Sequence, residues 1–218
     1  MTTHHFTTQK TARYFTLGNI ETAAEIWIVL HGYAQLAIDF IQNFEDLLSP
    51  QTAIVAPEGM HRFYKKGFYG DVAASWMTRE DRLSDISDNA MFLSNLYQTL
   101  IKPNQTVQIF GFSQGVATAC RWLAMADITP KNIVLWSGTF PDDLELKKGN
   151  SVFSKSNVYL AYDENDPFRT DKSWQKQLDF FEENGITPIH FRFEGGHSIP
   201  KDVLKKFVET YINPSLSS

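Results

Sequence analysis

The sequence predicts an α/β fold in which a mostly parallel sheet is covered by helices on both faces. Two observations carry this. Five apolar runs, residues 26–30, 53–56, 107–110, 133–136 and 158–161, lack the in–out alternation of a half-solvated strand and suit strands buried on both sides. Amphipathic helical stripes separate most of these runs, and strand–helix alternation is how such sheets are built.

Taken in order, residues 13–17 predict an outer strand ahead of the first buried run. Ile38, Ile41, Phe44 and Leu48 form a helical stripe that stops before Pro50. The longest stripe is Leu83, Ile86, Ala90, Leu93, Tyr97 and Leu100, preceded by a cap-like Thr78-x-x-Asp81 and ended near Pro103. A helix over 116–125 follows the central run. Trp174, Leu178 and Phe181 mark another, closed by Asn184-Gly185. Residues 189–193 predict a second outer strand. Val203, Leu204, Phe207, Val208 and Tyr211 form the last helix, with Pro200 near its first turn.

The chain has 218 residues, 43% of them hydrophobic, and no Pro/Gly/Ser-rich linker or internal repeat. One domain spanning 1–218 is expected. A net charge of −5 argues against a nucleic-acid surface, which needs clustered Lys and Arg. The short pairs Lys147-Lys148 and Lys205-Lys206 read as solvated faces. The amino terminus is polar and no apolar run reaches membrane-spanning length, so a cytoplasmic protein without membrane association is expected. Cys120 has no partner for an internal disulfide and lies on an apolar helix face, as a buried structural thiol would.

The most informative motif is Gly111-Phe112-Ser113-Gln114-Gly115, standing between a β-branched run and a helical stripe. A strand, a sharp turn and a helix make a nucleophile elbow, which pushes a serine out at the carboxyl edge of the sheet and tolerates no Cβ at its glycines. The hydroxyl needs a base, usually a neutral imidazole. His4 and His5 lie in a polar terminus, His190 in an outer strand and His61 in an aromatic loop, while His31 follows the 26–30 run. His197, after Glu194-Gly195-Gly196 and before the last helix, is the best placed. The acid that fixes its tautomer should precede it. Asp166, in the turn Asn165-Asp166-Pro167, fits, with Asp163 as fallback. An oxyanion needs N–H donors from the residue after the nucleophile and from the turn after the 26–30 run, hence the amides of Gln114 and Tyr33.

With these pieces in place the chain resembles the phospholipase/carboxylesterase group of α/β-hydrolases, which includes small carboxylesterases and acyl-protein thioesterases. The matching pieces are Leu30-His31-Gly32, Ala56-Pro57, Ser75-Trp76, the Ser113 pentapeptide, Asp166-Pro167 and Gly195-Gly196-His197, in order across nearly the whole chain. The resemblance implies a compact α/β-hydrolase fold without a large cap and a cofactor-free serine hydrolase. It also implies the triad Ser113, Asp166 and His197 with oxyanion donors at Tyr33 and Gln114. The chain departs from the family pattern His-Gly-x-Gly-acidic, having Ala34-Gln35, and has Val116 where a second glycine is common.

Between Pro57 and Asp81 runs a long connection dense in aromatics, and long connections in compact domains are often functional. Trp76 and Met77 are expected to wall an acyl pocket, joined by Phe168 after Asp166. An apolar pocket with few polar anchors would favour an acyl chain over a charged acid. The expected substrate is a small-molecule acyl ester of short to medium chain, hydrolysed through an acyl-enzyme at a rate that rises as the imidazole loses its proton. A long-chain thioesterase or lysophospholipase is the runner-up. A serine peptidase and a non-catalytic binder of hydrophobic ligands are the remoter alternatives. No metal is expected, because no His-x-x-x-His or compact ligand cluster occurs.

Overall fold

A computed structural model describes residues 1–146 and 151–213; Lys147-Lys148 lies outside the described residues. The strands are β1 (Tyr14–Leu17), β2 (Glu25–Leu30), β3 (Thr52–Pro57), β4 (His61–Lys66), β5 (Tyr69–Ser75), β6 (Thr106–Phe112), β7 (Asn132–Trp136), β8 (Asn157–Tyr162) and β9 (Ile189–Arg192). The helices are α1 (Ala37–Phe40, continued by a 3₁₀ segment Ile41–Leu47), α2 (Arg82–Leu100), α3 (Gln114–Met125), α4 (Val152–Lys155), α5 (Asp171–Glu183) and α6 (Lys201–Phe207, continued by a π turn Val208–Ile212).

Seven strands form one sheet in the order β1-β3-β2-β6-β7-β8-β9, parallel except for β1. All five apolar runs are strands, and their side chains feed two cores. One lies under α2, α3 and α5 around Ile28, Leu93, Trp122 and Phe181; the other lies under α1 and α6 around Phe44, Phe110, Trp136 and Phe207. Strand order reverses direction at β2, so the carboxyl ends of β2 and β6 open the crevice where ligands bind in such sheets. Among the described residues no helix is long and apolar enough to cross a membrane.

At the opposite, amino edge a side-chain chain fixes the register. Thr52 Oγ1 donates to Glu25, Gln108 Nε2 donates to Glu25 (2.7 Å), Asn132 Nδ2 to Gln108 Oε1 (2.8 Å) and Asn157 Nδ2 to Asn132 Oδ1 (2.8 Å). The polar ladder crosses five neighbouring strands, β3-β2-β6-β7-β8. Asn132 is 1% exposed and serves as both donor and acceptor. Asn132→Ala is expected to leave the buried Gln108 Oε1 unmatched, while water replaces the bond to the exposed Asn157, and to lower stability by about 1 to 3 kcal/mol. Urea unfolding checks this, and a loss below about 1 kcal/mol would mean water replaces the amide.

Three local expectations change. Residues 57–81 hold a hairpin, β4 and β5, rather than an extended loop. The Thr78-x-x-Asp81 box does not cap α2, because Asp81 itself sits in the left-handed region (φ 50°) with the helix starting behind it, and the Thr78 amide donates to Asp85 instead. In the first helix Ile38 and Leu48 are exposed while Phe40, Ile41 and Phe44 are buried. In the α-helical part the buried stripe runs through 37, 40, 41 and 44, which leaves 38 out, and the switch to three residues per turn after Phe40 carries it on to 47 rather than 48.

Candidate active site

Ser113 ends β6 and opens α3 with φ 54° and ψ −115°, a strained turn that presents the hydroxyl above the sheet edge. The flanking glycines are required by contact. A Cβ on Gly111 would lie 2.6 Å from Gly115 O, and one on Gly115 would lie 2.2 Å from Leu30 O.

Ser113 Oγ lies 2.9 Å from His197 Nε2, and His197 Nδ1 lies 2.7 Å from Asp166 Oδ2. The other Asp166 oxygen accepts the Phe168 amide at 2.9 Å, which fixes the carboxylate plane. Asp166 is 6% exposed. The imidazole ring rests against Phe112 and Phe168, with centroids 5.0 and 4.6 Å away.

Asp163 does a different job from the one held in reserve for it. Its Oδ2 accepts the amides of Gly195 and Gly196, both at 2.7 Å, and its Oδ1 accepts Asn165 N at 2.7 Å. These backbone donors, Gly196 first and then Asn165 and Gly195, hold its carboxyl below the usual carboxylate range. Trp136 Nε1 also donates to Ser198 O at 2.9 Å. The loop carrying His197 is therefore tied on both sides of the histidine.

Tyr33 stands in the turn after β2 and Gln114 opens α3, and among the described residues neither backbone amide donates to an internal acceptor. The Ala34-Gln35 departure leaves a closed turn. Gln35 Oε1 accepts Gly32 N at 2.7 Å, Ala34 N donates to Ala74 O at 2.9 Å and Ala74 N returns to Gln35 O at 3.2 Å. The turn is thus clipped to β5 of the hairpin. Ala34 has φ 61°, a conformation that costs a Cβ-bearing residue about 1 to 2 kcal/mol and explains the glycine of the common pattern. Gln114 braces the same region, its Nε2 donating to Met77 O and its Oε1 accepting Trp76 N.

Two pocket expectations are corrected. Trp76 is fully buried, stacks on His31 at 4.9 Å and donates Nε1–H to His31 O at 2.8 Å. With Met77 it lines a separate, narrow gap against α2, because its indole is the platform for the β2 turn. Neither residue reaches the cavity beside Ser113. That cavity, about 280 Å³, is lined by Phe168 together with Ser137, Tyr162, Arg169, Trp174 and Gln177. Its lining is more polar than the sequence suggested. Ser137 and Gly138 follow β7 at the same carboxyl edge as the other candidate residues, the signal that could have found them. Arg169 and Trp174 carried none.

The remaining histidines have structural partners or lie apart. His61 pairs with Asp85 and His5 with Asp81. His31 is buried, with Nδ1 2.7 Å from Gly32 O and Nε2 accepting Gly59 N–H at 3.0 Å. Burial lowers its pKa, and also that of His190. The folded protein therefore binds fewer protons than the unfolded chain just below the ordinary histidine value of 6.5. Stability is expected to be full above that pH and to fall as the pH drops below it. Urea midpoints from pH 7.5 to 5.5 measure this, with His31→Asn flattening the slope, and a midpoint that rises on acidification would refute it. Burial pushes the Cys120 thiol up, consistent with an inert core residue. Among the described residues no cluster of three or more His, Cys, Asp or Glu could hold a metal.

A parallel sheet with a serine elbow at the reversal of strand order defines an α/β-hydrolase, and solved structures share the fold. The Zea mays acyl-protein thioesterase 2 aligns with TM-score 0.71 at 18% identity, covering 92% of this chain and 97% of that one. Esterase PE8 gives 0.67 at 19%, covering 92% and 98%, and the Bacillus cereus carboxylesterase 0.65 at 16%, covering 92% and 93%. The family model described as serine hydrolase (FSH1) matches residues 26–210. The chain belongs to the FSH1 serine hydrolase family and is a serine hydrolase. No curated protein sequence matches it.

Proposed function

We propose that the chain is a carboxylesterase for short acyl esters, with Ser113 as nucleophile, His197 as general base and acid, and Asp166 as the orienting acid. The observation that carries this is the continuous relay from Ser113 Oγ through His197 to Asp166, at 2.9 and 2.7 Å. Ser113 Oγ attacks the ester carbonyl as its proton passes to His197 Nε2, and the Asp166 carboxylate stabilises the imidazolium. The Tyr33 and Gln114 amides receive the oxyanion, each contributing about 2.7 to 4 kcal/mol of transition-state stabilisation. His197 returns the proton to the leaving alcohol. It then activates water, which cleaves the acyl-enzyme and frees the acid.

The names of the structural relatives include both esterases and a thioesterase, and both reactions are acyl transfer to water. Size favours the short ester. A cavity of about 280 Å³ sits at the low end of small-molecule pockets, roughly 300 to 1,000 Å³. The test is initial rates on p-nitrophenyl esters of increasing acyl length with Ser113→Ala as blank. Ser113-dependent turnover should peak at short chains. Rates that climb with chain length would replace this reading by a long-chain thioesterase or lysophospholipase. Absence of Ser113-dependent turnover at every length would refute ester hydrolysis.

A further inference from the structure

The geometry points to an anionic substrate: the cavity beside Ser113 takes an ester that carries a carboxylate, and Arg169 binds that carboxylate. The inference rests on the ester-hydrolase reading and names the substrate class within it.

Arg169 lies three residues after Asp166 and lines the same cavity as Ser113 and His197. Its position is fixed at both ends. The Arg169 amide donates to Asp166 O at 3.0 Å, and its guanidinium carbon sits 4.5 Å from the Trp174 ring centroid and 5.5 Å from that of Tyr162. Those two rings pack together at 4.4 Å and form a wall. Aromatic contact orients a guanidinium without neutralising it.

Among the described residues no carboxylate lies within ion-pair distance of Arg169. Of the carboxylates close to it in sequence, Asp163 is engaged by backbone amides, Glu164 by Arg192 and Asp166 by His197, while Asp171 is exposed at the start of α5 and is not paired with Arg169. Arg169 Nε is shielded from solvent and makes no hydrogen bond, and the Ser137 hydroxyl on the same cavity is likewise buried and unmatched. Gln177 has its Oε1 committed to Phe140 N at 2.6 Å, which leaves its Nε2 donors. Buried polar groups are normally paired, and unmatched ones call for an explanation. A carboxylate in the cavity supplies one for the guanidinium, whose terminal nitrogens are not among the shielded atoms and can donate to it in a two-point fork. A long apolar chain would leave every one of these groups without a partner. Hydrolysis of such an ester yields a dicarboxylate and an alcohol when the charge is on the acyl part, and a hydroxy acid and a monocarboxylic acid when it is on the alcohol part.

The experiment compares kcat/KM by pH-stat for monomethyl succinate, glutarate and adipate with methyl butanoate, pentanoate and hexanoate. Acetoxyalkanoates, which carry the charge on the alcohol side, form a further arm. The wild type should favour one charged series over its neutral counterpart, and the favoured arm tells which side of the ester faces Arg169. In Arg169→Met the charged-to-neutral ratio should fall on the order of 10- to 100-fold, with Arg169→Lys between the two. The ratio is the readout, so a general loss of activity does not imitate the effect. Thermal shift with glutarate against butanoate, in wild type and Arg169→Met, reads binding without turnover. Selective stabilisation of the wild type by glutarate supports the inference. An unchanged ratio together with equal shifts overturns it while leaving the esterase reading intact. Loss of all Ser113-dependent turnover, p-nitrophenyl acetate included, would instead strike at the esterase reading, with the glutarate shift still deciding the Arg169 site.

Discussion

Asp166→Asn is expected to lower kcat by about 10⁴-fold with little change in stability. The reason lies in how Asp166 is held. One carboxylate oxygen accepts the Phe168 amide at 2.9 Å and the other faces His197 Nδ1 at 2.7 Å. An asparagine in the same pose keeps its oxygen on the Phe168 N–H, which turns its NH₂ toward His197. The imidazole must then accept at Nδ1 and carry its proton on Nε2, facing the Ser113 hydroxyl it is proposed to deprotonate. The substitution preserves shape and hydrogen-bond count while inverting the tautomer. Steady-state rates on a short p-nitrophenyl ester, beside a thermal melt, test it. A loss under about tenfold would remove Asp166 from the orienting role. Asp163 could not replace it in this geometry, because both its oxygens are occupied by backbone amides.

Gly115→Ala is expected to damage both stability and activity. The added Cβ would fall 2.2 Å from Leu30 O and 2.8 Å from His31 O, backbone atoms at the end of β2 with no rotamer to escape into. Relief demands that α3 and the β2 turn separate by about an ångström. Overpacking of this kind costs about 3 kcal/mol or more, or roughly 6 to 12 °C in Tm for a chain of this size. The two amides assigned to the oxyanion sit on these two pieces of chain, so their spacing widens as well. Displacement on that scale costs on the order of 100-fold in rate. Calorimetry and kcat measured on the same preparation would reveal both losses. Normal Tm with normal kcat would show that the elbow can flex, contrary to the contacts described.

The sheet was legible in the sequence because its central strands are buried on both faces, which leaves an unmistakable apolar run. Ser113 and Asp166 were legible because each follows such a run, and His197 because it stands after the glycine pair that separates the outer strand from the last helix. The hairpin was not. His61-Arg62-Phe63-Tyr64 mixes charge and aromatics on a ribbon whose tip faces solvent, with Phe68 96% exposed, so no buried face imposes a pattern. Trp76 misled for a related reason. A tryptophan near a candidate site reads the same whether it meets substrate or braces a turn, and only the stack on His31 separates the two. Arg169 was invisible because what distinguishes it is the lack, among the described residues, of a counter-ion in space.

Among the described residues, three of the four non-glycine residues with positive φ, Ala34, Ser113 and Ser137, stand at the carboxyl edge of the sheet, whereas the ladder from Thr52 to Asn157 runs along the amino edge. The molecule thus separates its tension from its fastening. Engineering for robustness has an obvious side to work on, since reinforcement at the amino edge touches none of the reacting groups. Relaxing the opposite edge, for instance with glycine at 34, would trade rigidity of the turn after β2, proposed to hold the oxyanion, for a more tolerant fold.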